Sequence, residues 1–89
     1  MVINRLKPSE NVLTQKVADE AVLLDLESQS YFGLDPVATL IWDAVAQGTA
    51  EDEIVARITA EFDVDADTAR NDLTAFLEQL RDGKLISEG

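Results

Sequence analysis

The apolar residues of this chain change their period at Asp35-Pro36, and this switch constrains the fold more than any other feature of the sequence. Before it, the spacing is that of strands. Residues 11–17 and 20–26 are two short runs rich in Val and Leu, joined at Ala18-Asp19, a separation that suits an antiparallel hairpin. In the second run Val22, Leu24 and Leu26 share one face, bracketed by Glu20 and Asp25. Glu27-Ser28-Gln29 is polar enough to turn, and residues 30–34 read as a short aromatic strand. After the switch the spacing is helical, with Val37, Leu40, Ile41, Ala44 and Val45 on one face.

Punctuating residues divide the helical part into three. Asp35 is placed to accept orphan amide hydrogens and Pro36 fits a first turn, while Gln47-Gly48 closes the helix because Gly enters the left-handed conformation at little cost. Thr49, with Asp52 three residues on, is a variant of the capping box and predicts a second helix with the stripe Ile54, Val55, Ile58 and Phe62. Asp63-Val64-Asp65 is a turn, with Asp65 capping a third helix whose stripe is Ala69, Leu73, Phe76, Leu77 and Leu80. Gly83 ends that helix, and Leu85-Ile86 is expected to fold back on the core. Residues 1–9 show no clear period and read as a flexible N-terminal arm before one domain spanning residues 10–87. The expected architecture is α+β, a three-stranded antiparallel sheet followed by a three-helix bundle, winged-helix-like with the sheet moved to the N-terminus.

Composition narrows the function. With 89 residues the chain has room for one core and hardly for a deep enclosed cavity. It has no Cys and no His, so a thiolate metal site, a disulfide framework and the commonest general base are all excluded; neither a metal nor a cofactor is expected, and an enzyme is disfavoured. Seven basic against eighteen acidic residues give a net charge of −11, which repels duplex DNA and argues against a winged-helix regulator. An acyl carrier protein is also small and acidic, but its Asp-Ser-Leu attachment tripeptide is missing. Glu51-Asp52-Glu53 points in three directions on a helix and suits the positive end of its dipole better than a cation. No apolar run approaches the roughly 18 residues of a membrane span, and the first residues lack a secretory h-region, so a soluble, cytoplasmic monomer is expected.

The run from Val22-Leu23-Leu24-Asp25-Leu26-Glu27 through Tyr31-Phe32-Gly33-Leu34-Asp35-Pro36 to Ile41-Trp42 resembles the PqqD family in content and order. The shared pattern is an apolar strand, a polar turn after Leu-Glu, an aromatic pair before Gly-Leu, an Asp-Pro helix start and an Ile-Trp in the first helix. Residues 64–86, with the closing Gly83-Lys84-Leu85, resemble the family's third helix and its end, so the likeness covers about residues 10–87. Gln29 and Ala38 depart from it, since both positions are commonly Gly in the family. The resemblance implies a non-catalytic recognition element that binds the leader segment of a ribosomally made precursor peptide as an added strand beside the third strand and against the third helix. Its implied partners are that precursor and a separate modifying enzyme, such as a leader peptidase or a radical-SAM enzyme.

The residues themselves supply a matching candidate site. A three-stranded sheet leaves edge amides and carbonyls unpaired, and extended peptides add to such edges. The expected edge is Gln29, Ser30, Tyr31, Phe32, Gly33 and Leu34. Alternation turns one aromatic inward, and we expect Phe32 with Leu34 in the core and Tyr31 toward the groove. On the third helix Leu73 and Leu77 either pack in the core or line the groove from the flank of a wide stripe. Arg70, Thr74 and Arg81 neighbour that flank and would meet acidic leader residues, as Asp72 and Glu78 would meet basic ones.

Overall fold

Strands β2 (Val12–Val17), β3 (Glu20–Asp25) and β4 (Ser30–Leu34) form the antiparallel sheet that the alternating runs predict, with β3 in the middle. They belong to a computed structural model that describes residues 6–88. The β2–β3 hairpin closes at Val17↔Glu20, so its loop is Ala18-Asp19, with Ala18 in the left-handed region (φ 59°) as the first position of a type II′ turn requires. In the next turn Asp25 holds the chain by accepting from the Glu27 amide at 3.0 Å and the Ser28 hydroxyl at 2.9 Å. Gln29 then takes φ 59°, which explains why Gly suits this position in the family that the sequence resembles.

Three helices follow: α1 (Pro36–Ala46), α2 (Glu51–Phe62) and α3 (Ala66–Asp82). Asp35 caps α1 by accepting from the Ala38 amide at 2.8 Å, and Asp65 caps α3 by accepting from that of Thr68 at 2.7 Å. Hydrogen bonds from Thr68 hold the Asp65 carboxyl below the usual carboxylate range. Two other ends differ from expectation. The N-cap of α2 is Ala50, with no side-chain bond, and Thr49 is buried instead. Its three leading acids, Glu51, Asp52 and Glu53, complement the helix dipole there. At the end of α3 the left-handed residue is Lys84 (φ 58°) rather than Gly83 (φ −82°). The Leu85 amide reaches the Leu80 carbonyl at 2.9 Å and that of Lys84 reaches Arg81 at 3.0 Å, the paired bonds of a Schellman motif. Its apolar partners, Leu80 and Leu85, are both buried.

Residues 6–8 of the expected arm instead form a strand, β1 (Leu6–Pro8), paired antiparallel with β5 (Ile86–Glu88). The Ser9 amide donates to the Leu85 carbonyl at 2.8 Å and extends the tie. Residues 1–5 of that arm lie outside the described residues.

The core lies between the inner face of the sheet and the helices. Ala21, Leu23 and Leu34 meet Ile41, Trp42 and Val45 of α1, Ile54 and Ile58 of α2, and Ala69, Leu73, Leu77 and Leu80 of α3. Trp42 is buried, and its indole N–H donates to the Thr14 hydroxyl at 2.9 Å, joining α1 to β2. Lys16 of β2 pairs with Asp43 of α1. The sheet's other face is open, with Leu13, Val17, Val22, Leu26 and Tyr31 exposed. No helix among the described residues is long and apolar enough to cross a membrane.

Candidate functional site

Because β3 is central, β4 is a sheet edge, and no other described strand pairs with it. Every second residue of such a strand turns its N–H and C=O away from the sheet. The helix α3 does not close this edge, because it packs on α2 and on β5 while α1 covers the sheet. An open groove of about 870 Å³ therefore runs between β4 and α3, with the start of α1 as its floor. That volume falls in the usual range of roughly 300–1,000 Å³ for ligand pockets.

The β4 wall consists of Tyr31, Phe32, Gly33 and Leu34. Leu34 is buried; Phe32 is half-buried, packs on the core and faces the groove. Tyr31, expected toward the groove, points instead to the opposite face of the strand, because alternation turns Phe32 to the groove side; it is 73% exposed and meets the groove only at its lip. A Cβ added to Gly33 would meet nothing within 4 Å, and its backbone is not left-handed, so this glycine leaves open space beside the edge. Ser30 and Gln29 precede this wall, in the strand and in its turn, without lining the groove.

The opposite wall is α3, and it presents Asp72, Ala75, Phe76 and Gln79, with Asp82 at the end. Of the helical residues expected from the sequence only Asp72 lies here; the others, Glu78 among them, lie elsewhere. Leu73 and Leu77 are each 2% exposed and belong to the core. Arg70 faces α2, where its guanidinium donates to Asp52 at 3.0 Å. Thr74 and Arg81 are exposed outside the groove. At about 100° per residue, Arg70, Thr74 and Arg81 sit roughly 60–100° to one side of Leu73, whereas Phe76, Asp72 and Gln79 sit roughly 60–120° to the other. The groove thus borders the opposite flank of the stripe. The residues missed by the sequence reading left one signal. Phe76 is the bulkiest member of the stripe and stands at its margin, with Ala75 and Gln79 beyond it.

This arrangement suits strand addition: backbone donors and acceptors on one side, a half-buried phenylalanine on each wall over an apolar floor, and a helix opposite to hold alternate side chains. Among the described residues no group of three or more Asp or Glu is placed to hold a metal ion.

An unpaired edge across a groove from a helix places the chain among small α+β domains with an exposed sheet edge. Within that class the chain belongs to the PqqD family, described as coenzyme PQQ synthesis protein D, which matches residues 20–86. Two solved structures are similar to it. TbiB1 in complex with the TbiA(β) leader peptide is 41% identical, with 91% of this chain and 94% of that one covered and a TM-score of 0.84. Lasso peptide synthetase B1 complexed with the leader peptide is 22% identical, with 93% and 98% covered and a TM-score of 0.85, a likeness of fold. No curated protein matches significantly.

Proposed function

We propose that this chain is a non-catalytic recognition element that binds the leader segment of a ribosomally made precursor peptide and delivers it to a separate processing or modifying enzyme. The leader adds as a strand beside β4 and lies against α3. The observation that carries this reading is the free β4 edge facing Phe76 and Gln79 across the groove, in a chain 41% identical to a protein that holds a leader peptide. Synthesis of the precursor on ribosomes places the encounter in the cytoplasm.

Magnitudes decide how the affinity is divided. Each backbone bond to the edge contributes about 0.5–1.5 kcal/mol net, whereas association costs about 4–15 kcal/mol. The bonds of a five-residue edge alone would hardly exceed that cost. Side chains entering between Phe32 and Phe76 contribute the remainder, and Tyr31 clasps the strand from the lip. The residues assigned to the leader are therefore Tyr31, Phe32, Gly33 and Leu34 with Asp72, Ala75, Phe76 and Gln79.

The test uses the TbiA(β) leader peptide as the probe in an NMR titration of the full chain. The largest amide shifts are expected at residues 30–34 and at 72–79. Shifts confined to β2 or α2, with β4 unmoved, would refute strand addition at this edge. Incubated alone with a precursor peptide, the purified protein should leave the precursor's mass unchanged; cleavage lost on mutating one carboxylate would show an enzyme.

A further inference from the structure

The charge lining the groove says what kind of segment it takes. Three carboxylates, Asp35, Asp72 and Asp82, line it, and no Lys or Arg does among the described residues. Asp35 is committed to capping α1. The other two are exposed, and the ion pairs of the described residues, Lys16 with Asp43, Arg57 with Glu53 and Arg70 with Asp52, leave both of them out. With a net charge of −11 around them, the charges of this groove repel an acidic segment entering it. Asp72 and Asp82 stand ten residues apart on α3, about 15 Å along its axis, which about four to five residues of extended chain can span. One bound strand therefore reaches both.

Resting on the reading of β4 as a strand-accepting edge, we infer that the segment bound is cationic: an extended peptide whose Lys or Arg side chains meet Asp72 and Asp82 while an apolar side chain fills the floor between Phe32 and Phe76. The apolar floor supplies affinity, and the two carboxylates discriminate among segments by sign of charge. Because both lie in solvent, their contribution is screened by salt.

Random dodecapeptides displayed on phage and selected against the full chain at low ionic strength test this inference, with each binder's site assigned from amide shifts. Binders that move residues 30–34 should be enriched in Lys and Arg and poor in Asp and Glu. Their affinity should fall about tenfold in D72K/D82K, and much less at high salt. The E10K/E61K variant carries the same net charge with both changes outside the groove, and should keep the affinity. D72N/D82N removes the charge without reversing it and should fall between the two, which guards against a folding defect in the lysine variant. Binders at β4 with no basic enrichment, or weakened equally by both lysine variants, would overturn the charge inference and leave the strand-accepting edge standing. Binders that leave residues 30–34 unmoved, or no binders at all, would overturn both.

Discussion

Two faces of α3 run side by side and serve opposite ends. One, made of Ala69, Leu73, Leu77 and Leu80, is closed against the other helices and the sheet, each residue no more than 2% exposed. The other, made of Asp72, Ala75, Phe76 and Gln79, looks across an open groove at a strand it does not touch closely. The first face holds α3 at its place; the second uses that place. A helix can offer a half-buried Phe76 to a ligand because the neighbouring Leu77 and Leu73 already fix it without the ligand's help. Stability and recognition are thus separated by about a third of a turn on one helix, and substitutions should sort accordingly.

The largest effect expected is on the closed face. Leu77→Ala leaves a cavity in a packed core and should cost about 2–5 kcal/mol of stability, seen as a lower thermal midpoint in circular dichroism. Leader affinity of the surviving folded fraction should stay within about twofold. A comparable loss of affinity at unchanged stability would erase the distinction between the faces. Next comes the groove. Tyr31→Ala at the lip should weaken leader binding by about 1–3 kcal/mol, or roughly tenfold to a hundredfold in calorimetric titration. Its thermal midpoint should hardly move, because the ring is 73% exposed in the free protein. If stability falls and affinity does not, Tyr31 belongs to the fold.

The smallest effect concerns the turn both faces share. The Asp65 carboxyl has a folded-state pKa lowered by its bonds from Thr68, so its contribution is present above the unfolded-state value and is lost as pH falls through the folded-state one. Asp65→Asn should therefore flatten the acid limb of the stability profile and leave neutral-pH binding unchanged. An acid limb identical in the two proteins would show that this cap does not set it.

How much of this was legible in the sequence follows from the range of the interactions. The alternation of residues 11–34, the Asp35 and Asp65 caps and most of the buried stripes are local patterns that the structure carries, while Phe62 and Phe76 at the stripe margins are only half-buried. The β4 edge followed from strand order in a simple meander. The groove flank of α3 did not. Periodicity gives the angle between Leu73 and Phe76 but not which side turns toward β4; that is set where α2 lies, and Arg70 meets Asp52 across eighteen residues of sequence. The β1–β5 ribbon was missed for a related reason. Two three-residue strands from opposite ends of the chain are too short to show a period, and their register rests on pairing alone.

The chain holds one tryptophan and one tyrosine, and the fold has put them on opposite sides of the division just described. Trp42 is sealed in the core with its N–H on Thr14, away from the groove, while Tyr31 stands at the groove's lip. Indole emission should therefore be blue-shifted and follow unfolding while ignoring the ligand. Phenol emission and its quenching should follow occupancy of the edge. With no label attached, one cuvette then reads folding and binding as two separate optical channels.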